Sequence, residues 1–287
     1  MTAACPPRRM NKMNADYYIE KGQSHDFCED FALAGKIGES AYAILSDGCS
    51  SSEHVDLGAR LLVHAAKDGM AAAFCAPKVD WESFARKAIN KAQRAARCFE
   101  SLPNTVLDAT LMLASVVPDG NGAFEATACA WGDGAILVKR GDAIAATLIR
   151  FSMNAPFYLS YYLDPQRSQA YLEKQGGVKD VLRSTLVPDS PSTIQTTRES
   201  VSQPLKPYVE SITLQPGDSL VLVSDGIAQF FAGDNTPIPW ESIAPEFINY
   251  KQMTGVFLRR RMNFFQRKNR ADGVTHLDDV SGAAITV

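Results

Sequence analysis

Ala41-Tyr42-Ala43-Ile44-Leu45-Ser46-Asp47-Gly48 and Ser219-Leu220-Val221-Leu222-Val223-Ser224-Asp225-Gly226 read alike. Each is a short apolar, β-prone run that stops abruptly at Ser-Asp-Gly. A third stretch, Leu277-Asp278-Asp279-Val280-Ser281, sets two adjacent carboxylates just before a closing apolar strand. A sheet brings its strand ends together, so such carboxylates can converge although they lie far apart in sequence. Clustered hard oxygen ligands are what Mg²⁺ or Mn²⁺ require. The pattern therefore points to a divalent-metal site that does chemistry.

Asp-Gly is also a common hairpin turn, because Gly accepts a positive φ and Asp tolerates one. Of the six Asp-Gly pairs in the chain, three read as nothing more. Asp68-Gly69 lies near the end of a helical pattern, Asp119-Gly120 sits in a turn between two apolar strands, and Asp272-Gly273 follows a basic polar stretch. The pairs at 47 and 225 differ, because helix-like segments follow them rather than returning strands.

Composition narrows the class. A chain of 287 residues fits one large domain or two small ones, and a formal net charge of −3 gives no push towards nucleic acid. No run approaches the ~20 apolar residues of a membrane span. Met1 to Asn14 carries Arg8, Arg9 and Lys12 but no apolar core, the pattern of a flexible tail and not of a signal peptide. The six cysteines are scattered without a Cys-x-x-Cys, which argues against zinc and against a disulfide framework. The expected home is a reducing cytoplasm.

Periodicity predicts strands at Asp16 to Glu20, Glu29 to Ala34 and Ser40 to Ser46. A polar run, Cys49 to Glu53, precedes a helical pattern beginning at Val55, and Asp80 reads as the N-cap of a second helix, Trp81 to Ser101. A β-meander follows at 109–117, 124–131, 135–139 and 143–149. Residues 151–206 read as an irregular flap or insertion with a helix around Pro165 to Gln175. Tyr208 to Leu214 and Ser219 to Ser224 read as a hairpin, Trp240 to Lys268 as one long helix, and Val280 to Val287 as the last strand. Strands with segregated helices make an α+β pattern. The expected fold is two stacked antiparallel β-sheets flanked by helices, an α-β-β-α sandwich, with residues 15–287 forming a single domain.

In order, Glu29-Asp30, Asp47-Gly48, Ala109-Thr110-Leu111, Trp131-Gly132-Asp133-Gly134-Ala135, Leu214-Gln215-Pro216-Gly217-Asp218, Ser224-Asp225-Gly226 and Asp278-Asp279-Val280-Ser281 form a series. It resembles the metal-dependent serine/threonine protein phosphatases of the 2C family, over about residues 17–287. The resemblance implies two Mn²⁺ or Mg²⁺ ions at one end of the sandwich. Asp47 would bridge both, and the Gly48 carbonyl would add a ligand. Asp225 and Asp278 would hold the first ion, with Asp30 or Glu29 completing the shell through waters. Asp133 matches the position where many bacterial members bind a third ion. A water between two such cations is acidified and aligned for in-line attack on phosphorus. A phosphorylated protein substrate and a partner kinase are the implied partners.

The chain departs from the family pattern at two positions near the metal ligands, and the usual Asp-His pair after the meander is missing from the flap. Where members commonly carry a phosphate-gripping Arg, this chain has His25, which makes His25 the candidate phosphate anchor. Where many have Asp-Gly-His, it reads Asp47-Gly48-Cys49-Ser50. Ser24-His25-Asp26-Phe27-Cys28-Glu29-Asp30 resembles a bacterial branch with His and Cys ahead of the metal Asp. A catalytically weak, phosphatase-like regulatory or phosphoprotein-binding module is therefore the second reading.

Other features have simpler readings. Gly217-Asp218-Ser219-Leu220 spells an esterase signature, with Asp272 and His276 as conceivable partners, but Ser219 opens a strand and Pro216-Gly217-Asp218 reads as a turn. His64 falls on the apolar face of the first helix and is expected in the core. His54 reads as a solvated first-turn residue. His276 either orients Asp278 or lies at the surface. Arg259-Arg260-Arg261 with Arg267, Lys268 and Arg270 reads as a solvated helix face or a docking patch for acidic partners.

Overall fold

In the computed structural model, which describes residues 13–175, 178–187, 190–200 and 206–287, side chains alternate strictly along the central strands. Strand β3 (Ser40–Ser46) sends Ala41, Ala43 and Leu45 to one side and Tyr42 and Ile44 to the other. The period of two puts both faces to use, because each is covered by a different layer. Residues 1–12 of the expected N-terminal tail lie outside the described residues.

The strands are β1 (Asn14–Glu20), β2 (Phe31–Ile37), β3, β4 (Leu111–Pro118), β5 (Phe124–Trp131), β6 (Gly134–Arg140) and β7 (Ala143–Phe151). There follow β8 (Val178–Val187), β9 (Ser190–Ser200), β10 (Tyr208–Leu214), β11 (Ser219–Val223) and β14 (Val280–Thr286), with a two-residue pair, β12 (Phe230–Phe231) and β13 (Thr275–His276). The larger sheet runs β1-β14-β11-β6-β7-β8-β9 and the smaller β10-β5-β4-β3-β2. Every pairing is antiparallel.

Between the sheets lies a core rich in alanine, including Ala41, Ala43, Ala114, Ala128 and Ala283, with Leu45, Met112, Leu222 and Ile285. Small side chains on facing strands let the two sheets approach closely. On the outer face of the smaller sheet, helices α1 (Val55–Cys75) and α2 (Trp81–Ala96) cover Ile44, Leu111 and Leu113. On the outer face of the larger one, α4 (Trp240–Ile243) and α5 (Phe257–Asp272) cover Val221, Val223 and Ala284. The molecule is thus the expected α-β-β-α sandwich. Each fully buried large aliphatic side chain contributes roughly 1.5–3 kcal/mol to holding these layers together.

Several expectations need correction. The meander is not one sheet: the chain leaves the smaller sheet after β5 and enters the larger at β6, crossing at Gly132-Asp133-Gly134. Both glycines take positive φ (101° and 130°), and a Cβ on Gly134 would stand 2.5 Å from the Met112 sulfur, so the corner admits nothing larger. Residues 208–224 are likewise not a hairpin, since β10 pairs with β5 and β11 with β6 and β14. The turn at Gln215–Asp218 is a second crossing, and it leaves Ser219 fully buried at the start of β11, as the turn reading of that motif requires.

The stretch 151–206 holds more order than its composition suggests. It contains the expected helix, α3 (Pro165–Gln175), but also β8 and β9, which extend the larger sheet beyond the smaller. The long helix at 240–268 is broken. Pro245 opens a 3₁₀ turn at Ala244–Phe247, and Gly255 turns the chain with φ 65° before α5 begins. His64 is exposed rather than buried, and its ring lies 5.5 Å from that of Phe31. Among the described residues no helix is long and apolar enough to cross a membrane.

Candidate metal centre

Ser46, at the end of β3, donates its hydroxyl to the Thr110 carbonyl at 2.5 Å. The Asp47 N–H donates to Thr110 Oγ1 at 2.9 Å, and the Thr110 N–H returns to the Asp47 carbonyl at 2.8 Å. Gly48 continues the ladder by bridging to Ala109, and its N–H donates to the Glu29 carbonyl at 3.2 Å. Asp47 is thereby fixed by backbone on both sides, leaving its carboxylate as the free end.

At the matching end of β11, the Ser281 N–H donates to Ser224 Oγ at 3.0 Å and the Ser224 N–H to the Ser281 carbonyl at 3.1 Å. Asp225 then opens a 3₁₀ turn, Asp225–Ala228. Asp278 and Asp279 lie just before β14, the strand that pairs with β11. Asp133 comes from the sheet crossing and is buried, and Asp30, just before β2, is completely buried.

These carboxylates share one space. Burial, with the fields of Asp30 and Asp225 and a hydrogen bond that the protonated Asp47 carboxyl donates to Asp225, holds the Asp47 carboxyl well above the carboxylate range. Burial and the field of Asp225 do the same for Asp133. Asp30 is pushed up to about 8, mainly by burial and by the field of Asp279. Asp278 rises to about 6 through burial and the field of Asp225. The cause is common to all four: anions gathered out of water, offset at Asp278 in part by His25.

Orphaned oxygens point the same way. Both Asp30 oxygens, Asp225 Oδ1 and Glu29 Oε2 are buried with no hydrogen-bond partner. A buried carboxylate oxygen without a donor is costly unless a cation meets it. Hard oxygen donors of this kind suit Mg²⁺ or Mn²⁺. The carboxylates ring a space rather than close on a point: among the described residues no group of three Asp, Glu, His or Cys side chains is poised to hold one ion outright.

His25 lies at the edge of this ring. Its Nδ1 stands 3.0 Å from Asp279 Oδ2, and its Nε2 stands 3.7 Å from Asp278 Oδ1 and 3.3 Å from Ser50 Oγ. Burial pulls its pKa down, but the Asp279 bond and the fields of Asp279, Glu29 and Asp278 outweigh burial and raise it. Asp279 has a second task. It accepts the Gly22 N–H at 2.7 Å and the Glu29 N–H at 2.5 Å, stitching the 21–30 loop to β14 and so delivering Asp30.

The structure settles other residues singled out in the sequence. His276 is buried, donates Nδ1–H to the Asp278 carbonyl at 2.9 Å, and meets Gln266 Nε2 at 3.2 Å, so it orients Asp278 through backbone. The polar run before α1 does not cap that helix. Its N-cap is His54 in the left-handed region, with no side-chain bond, and Ser52 Oγ donates instead to Asp108 at 3.1 Å. Asp80 does cap α2, accepting from the Ser83 N–H at 3.1 Å.

Two residues at the site have no sequence signal. Asp108 is buried beside Ala109 and Thr110, and Tyr158, from residues 151–206, is buried with its ring 5.8 Å from that of Tyr161. Burial, Cys49, Asp133 and Asp47 together drive the Tyr158 hydroxyl well above its ordinary pKa, so it stays protonated. Each joins segments remote in sequence, and no local pattern records that.

Known structures share the architecture. The catalytic domain of the serine/threonine protein phosphatase PstP, solved with 2 manganese ions, aligns over 96% of this chain and 97% of its own at 14% identity and a TM-score of 0.51. The S. agalactiae serine/threonine phosphatase aligns over 96% and 100% at 16% identity and 0.52. The phosphatase-domain structure of SpoIIE from Bacillus subtilis aligns over 96% and 63% at 12% identity and 0.54. At these identities the likeness is one of fold. No curated protein matches the chain significantly. The sequence model of protein phosphatase 2C, however, matches residues 20–266, and the chain belongs to that family.

Proposed function

We propose that the protein is a metal-dependent serine/threonine phosphatase that hydrolyses phosphomonoesters on a phosphorylated protein. One observation carries the reading: five aspartates from both sheets ring one space, and buried oxygens on two of them have no donor. Asp47, the Gly48 carbonyl, Asp225 and Asp278 would hold two ions, with Asp30 acting through waters, and Asp133 would hold a third. Divalent cations bound there supply charge to polarise the phosphoryl oxygens and to acidify water for in-line attack. The chain's own part is to fix these carboxylates through Thr110, Ser281, Asp279 and His276. His25, held near Asp278, is placed to donate to a phosphoryl oxygen. A reducing cytoplasm fits the scattered cysteines, and a kinase that phosphorylates the substrate is the partner that the family reading implies.

A second reading has its own observation. His25 Nδ1 is spent on Asp279 and Arg167 on Asp108 (bonds of 3.2 and 2.7 Å), which leaves His25 Nε2 as the one donor of these two residues that could meet a phosphate. On that reading the protein binds metal or phosphoprotein with little turnover. Hydrolysis of p-nitrophenyl phosphate and of a phosphothreonine peptide, with Mn²⁺ and with chelator, separates the two. Mn²⁺-dependent turnover of both substrates is expected. Mn²⁺ binding without turnover selects the module, and no Mn²⁺ binding overturns both.

A further inference from the structure

Helix α5 carries six cations, Arg259, Arg260, Arg261, Arg267, Lys268 and Arg270, against one carboxylate, Asp272. The whole chain has a formal net charge of −3, so the remainder is acidic and positive charge is concentrated on this helix. Half of the six are occupied. Arg261 pairs with Glu246, Arg270 reaches Glu20 at 2.9 Å, and the Arg259 guanidinium lies 5.3 Å from the centre of the Tyr17 ring. Arg260 donates to the Thr254 carbonyl at 3.2 Å and Arg267 to the Asn263 carbonyl at 3.1 Å. Among the described residues no carboxylate pairs with Arg260, Arg267 or Lys268.

The same three cations flank an aromatic residue. Phe264 is 56% exposed; Arg260 stands four residues before it, and Arg267 and Lys268 stand three and four after. Residues at those spacings lie on one helix face, one turn apart. Val256, 49% exposed, extends that face past the N-terminus of α5. The opposite face is the one that packs on the larger sheet, through Phe257, Leu258, Met262 and Phe265. Phe264 therefore adds nothing to the core. A lone exposed apolar residue is ordinary. An exposed aromatic between arginines without acidic partners has the composition of a binding surface, where both residue types are enriched.

The C-terminal half of α5 is tied to the metal centre. Gln266, next to Arg267, meets His276 at 3.2 Å, and His276 donates to the Asp278 carbonyl at 2.9 Å. We propose that the outer face of α5 docks an acidic segment of the phosphorylated protein substrate, with Phe264 as apolar anchor and Arg260, Arg267 and Lys268 facing carboxylates. The proposal deepens the phosphatase reading and takes its substrate from it. Charge complementarity selects the occupant: a short acidic segment touches only the basic face, whereas a long polyanion or an anionic membrane also meets the acidic remainder of the surface.

The probe is a fluorescein-labelled, unphosphorylated peptide, Glu-Glu-Leu-Glu-Glu-Trp-Glu-Glu, with a Gln-for-Glu counterpart as control. Anisotropy should show binding of the acidic peptide, weakened by salt, and none of the control. Arg260→Gln, Arg267→Gln and Lys268→Gln together should weaken the peptide by about tenfold or more, and Phe264→Ala should weaken it as well. Neither variant should change the Mn²⁺ count or kcat and KM for p-nitrophenyl phosphate. Both should lose the advantage in kcat/KM that the acidic segment confers on a phosphothreonine peptide carrying it. Should the triple variant fail to fold, Arg267→Glu alone should weaken the acidic peptide, and Arg267→Lys should retain it. Equal binding of the two peptides, or wild-type affinity in the triple variant, overturns the proposal. So does tighter binding to phosphatidylserine vesicles or to an oligonucleotide than to the acidic peptide, or a dimer in sedimentation that the triple variant dissolves. Acidic-peptide binding without Mn²⁺-dependent turnover supports the docking face while overturning the phosphatase reading.

Discussion

The two Ser-Asp-Gly ends carry the same three residues and are built differently. At 46–48 the serine donates to a carbonyl, and the chain stays in the ladder through Thr110 and Ala109. At 224–226 the serine hydroxyl accepts from the Ser281 N–H, and the chain leaves the strand at once into a 3₁₀ turn. One end belongs to the smaller sheet and the other to the larger, so the carboxylates meet only because the sheets stack. A tripeptide can announce a strand end. Where its carboxylate goes is decided by the partner strand.

The two aspartates should therefore fail in different ways. On the proposed assignment Asp47 would serve two ions and Asp225 only one. Asp47→Ala is expected to abolish binding of two ions and lower Mn²⁺-dependent kcat by more than about 10³-fold, the scale of losing a principal electrostatic element. Asp225→Ala should lower kcat comparably but leave one ion bound. Calorimetry with Mn²⁺ reads the difference, and equal ion counts in the two variants would remove the distinction.

The glycines sharpen the contrast. A Cβ on Gly226 would stand 1.9 Å from the Asp279 carbonyl oxygen, a backbone atom that cannot move aside cheaply. On Gly48 the nearest atoms belong to the Val55 side chain at 2.9 Å, with the Glu29 carbonyl at 3.0 Å. Gly226→Ala should cost about 3 kcal/mol or more, and Gly48→Ala about 1–2 kcal/mol, in urea unfolding. Equal costs would mean that the 3₁₀ turn shifts freely.

What could be read in the sequence follows the same division. Ser46 to Gly48 and Ser224 to Gly226 were legible because a strand end and its turn residues are local. The period of two in 41–45 and 219–223 made the sandwich legible as well. The sheet crossings at Gly132-Asp133 and Gln215–Asp218 were not, since a turn between strands looks alike whether the chain returns beside itself or changes layers. Strand β9 was hidden by exposure: Thr193 to Arg198 face solvent, so burial imposed no alternation. The Asp108–Arg167 pair spans 59 residues, and nothing local records it. His64 sits at an apolar phase of its helix but stacks on Phe31 at the surface, so periodicity alone misplaced it.

The metal-free protein should respond to pH in an unusual direction. Folding raises Asp30 to about 8 and Asp278 to about 6, both above the usual 3.8. The folded state then binds protons more tightly than the unfolded chain, so stability is lost as pH rises and regained as it falls. Between pH 8.5 and about 5.5 the Tm of chelator-treated protein should increase by a few degrees on acidification. Saturating Mn²⁺ should abolish that gain at the alkaline end by supplying the missing counter-charge. A Tm that falls steadily from pH 8.5 would show that the carboxylates do not repel one another in the metal-free protein.

The smallest effects fall on the supports of the two ends. Thr110→Val keeps shape but removes the oxygen that receives the Asp47 N–H, and Ser224→Ala removes the oxygen that receives the Ser281 N–H. Each leaves a buried donor unpaired, at about 1–3 kcal/mol. The supports share no hydrogen-bond partner and lie on different sheets, so in metal-free protein the two costs should add within about 0.5 kcal/mol. With Mn²⁺ bound, both ends would serve the same ions, and the costs should no longer add. A double-mutant cycle in urea, run with chelator and then with Mn²⁺, reads the coupling directly. Coupling already present without metal would mean that the two Ser-Asp-Gly ends form one unit before any ion arrives, and the contrast between them would then be one of sequence context alone.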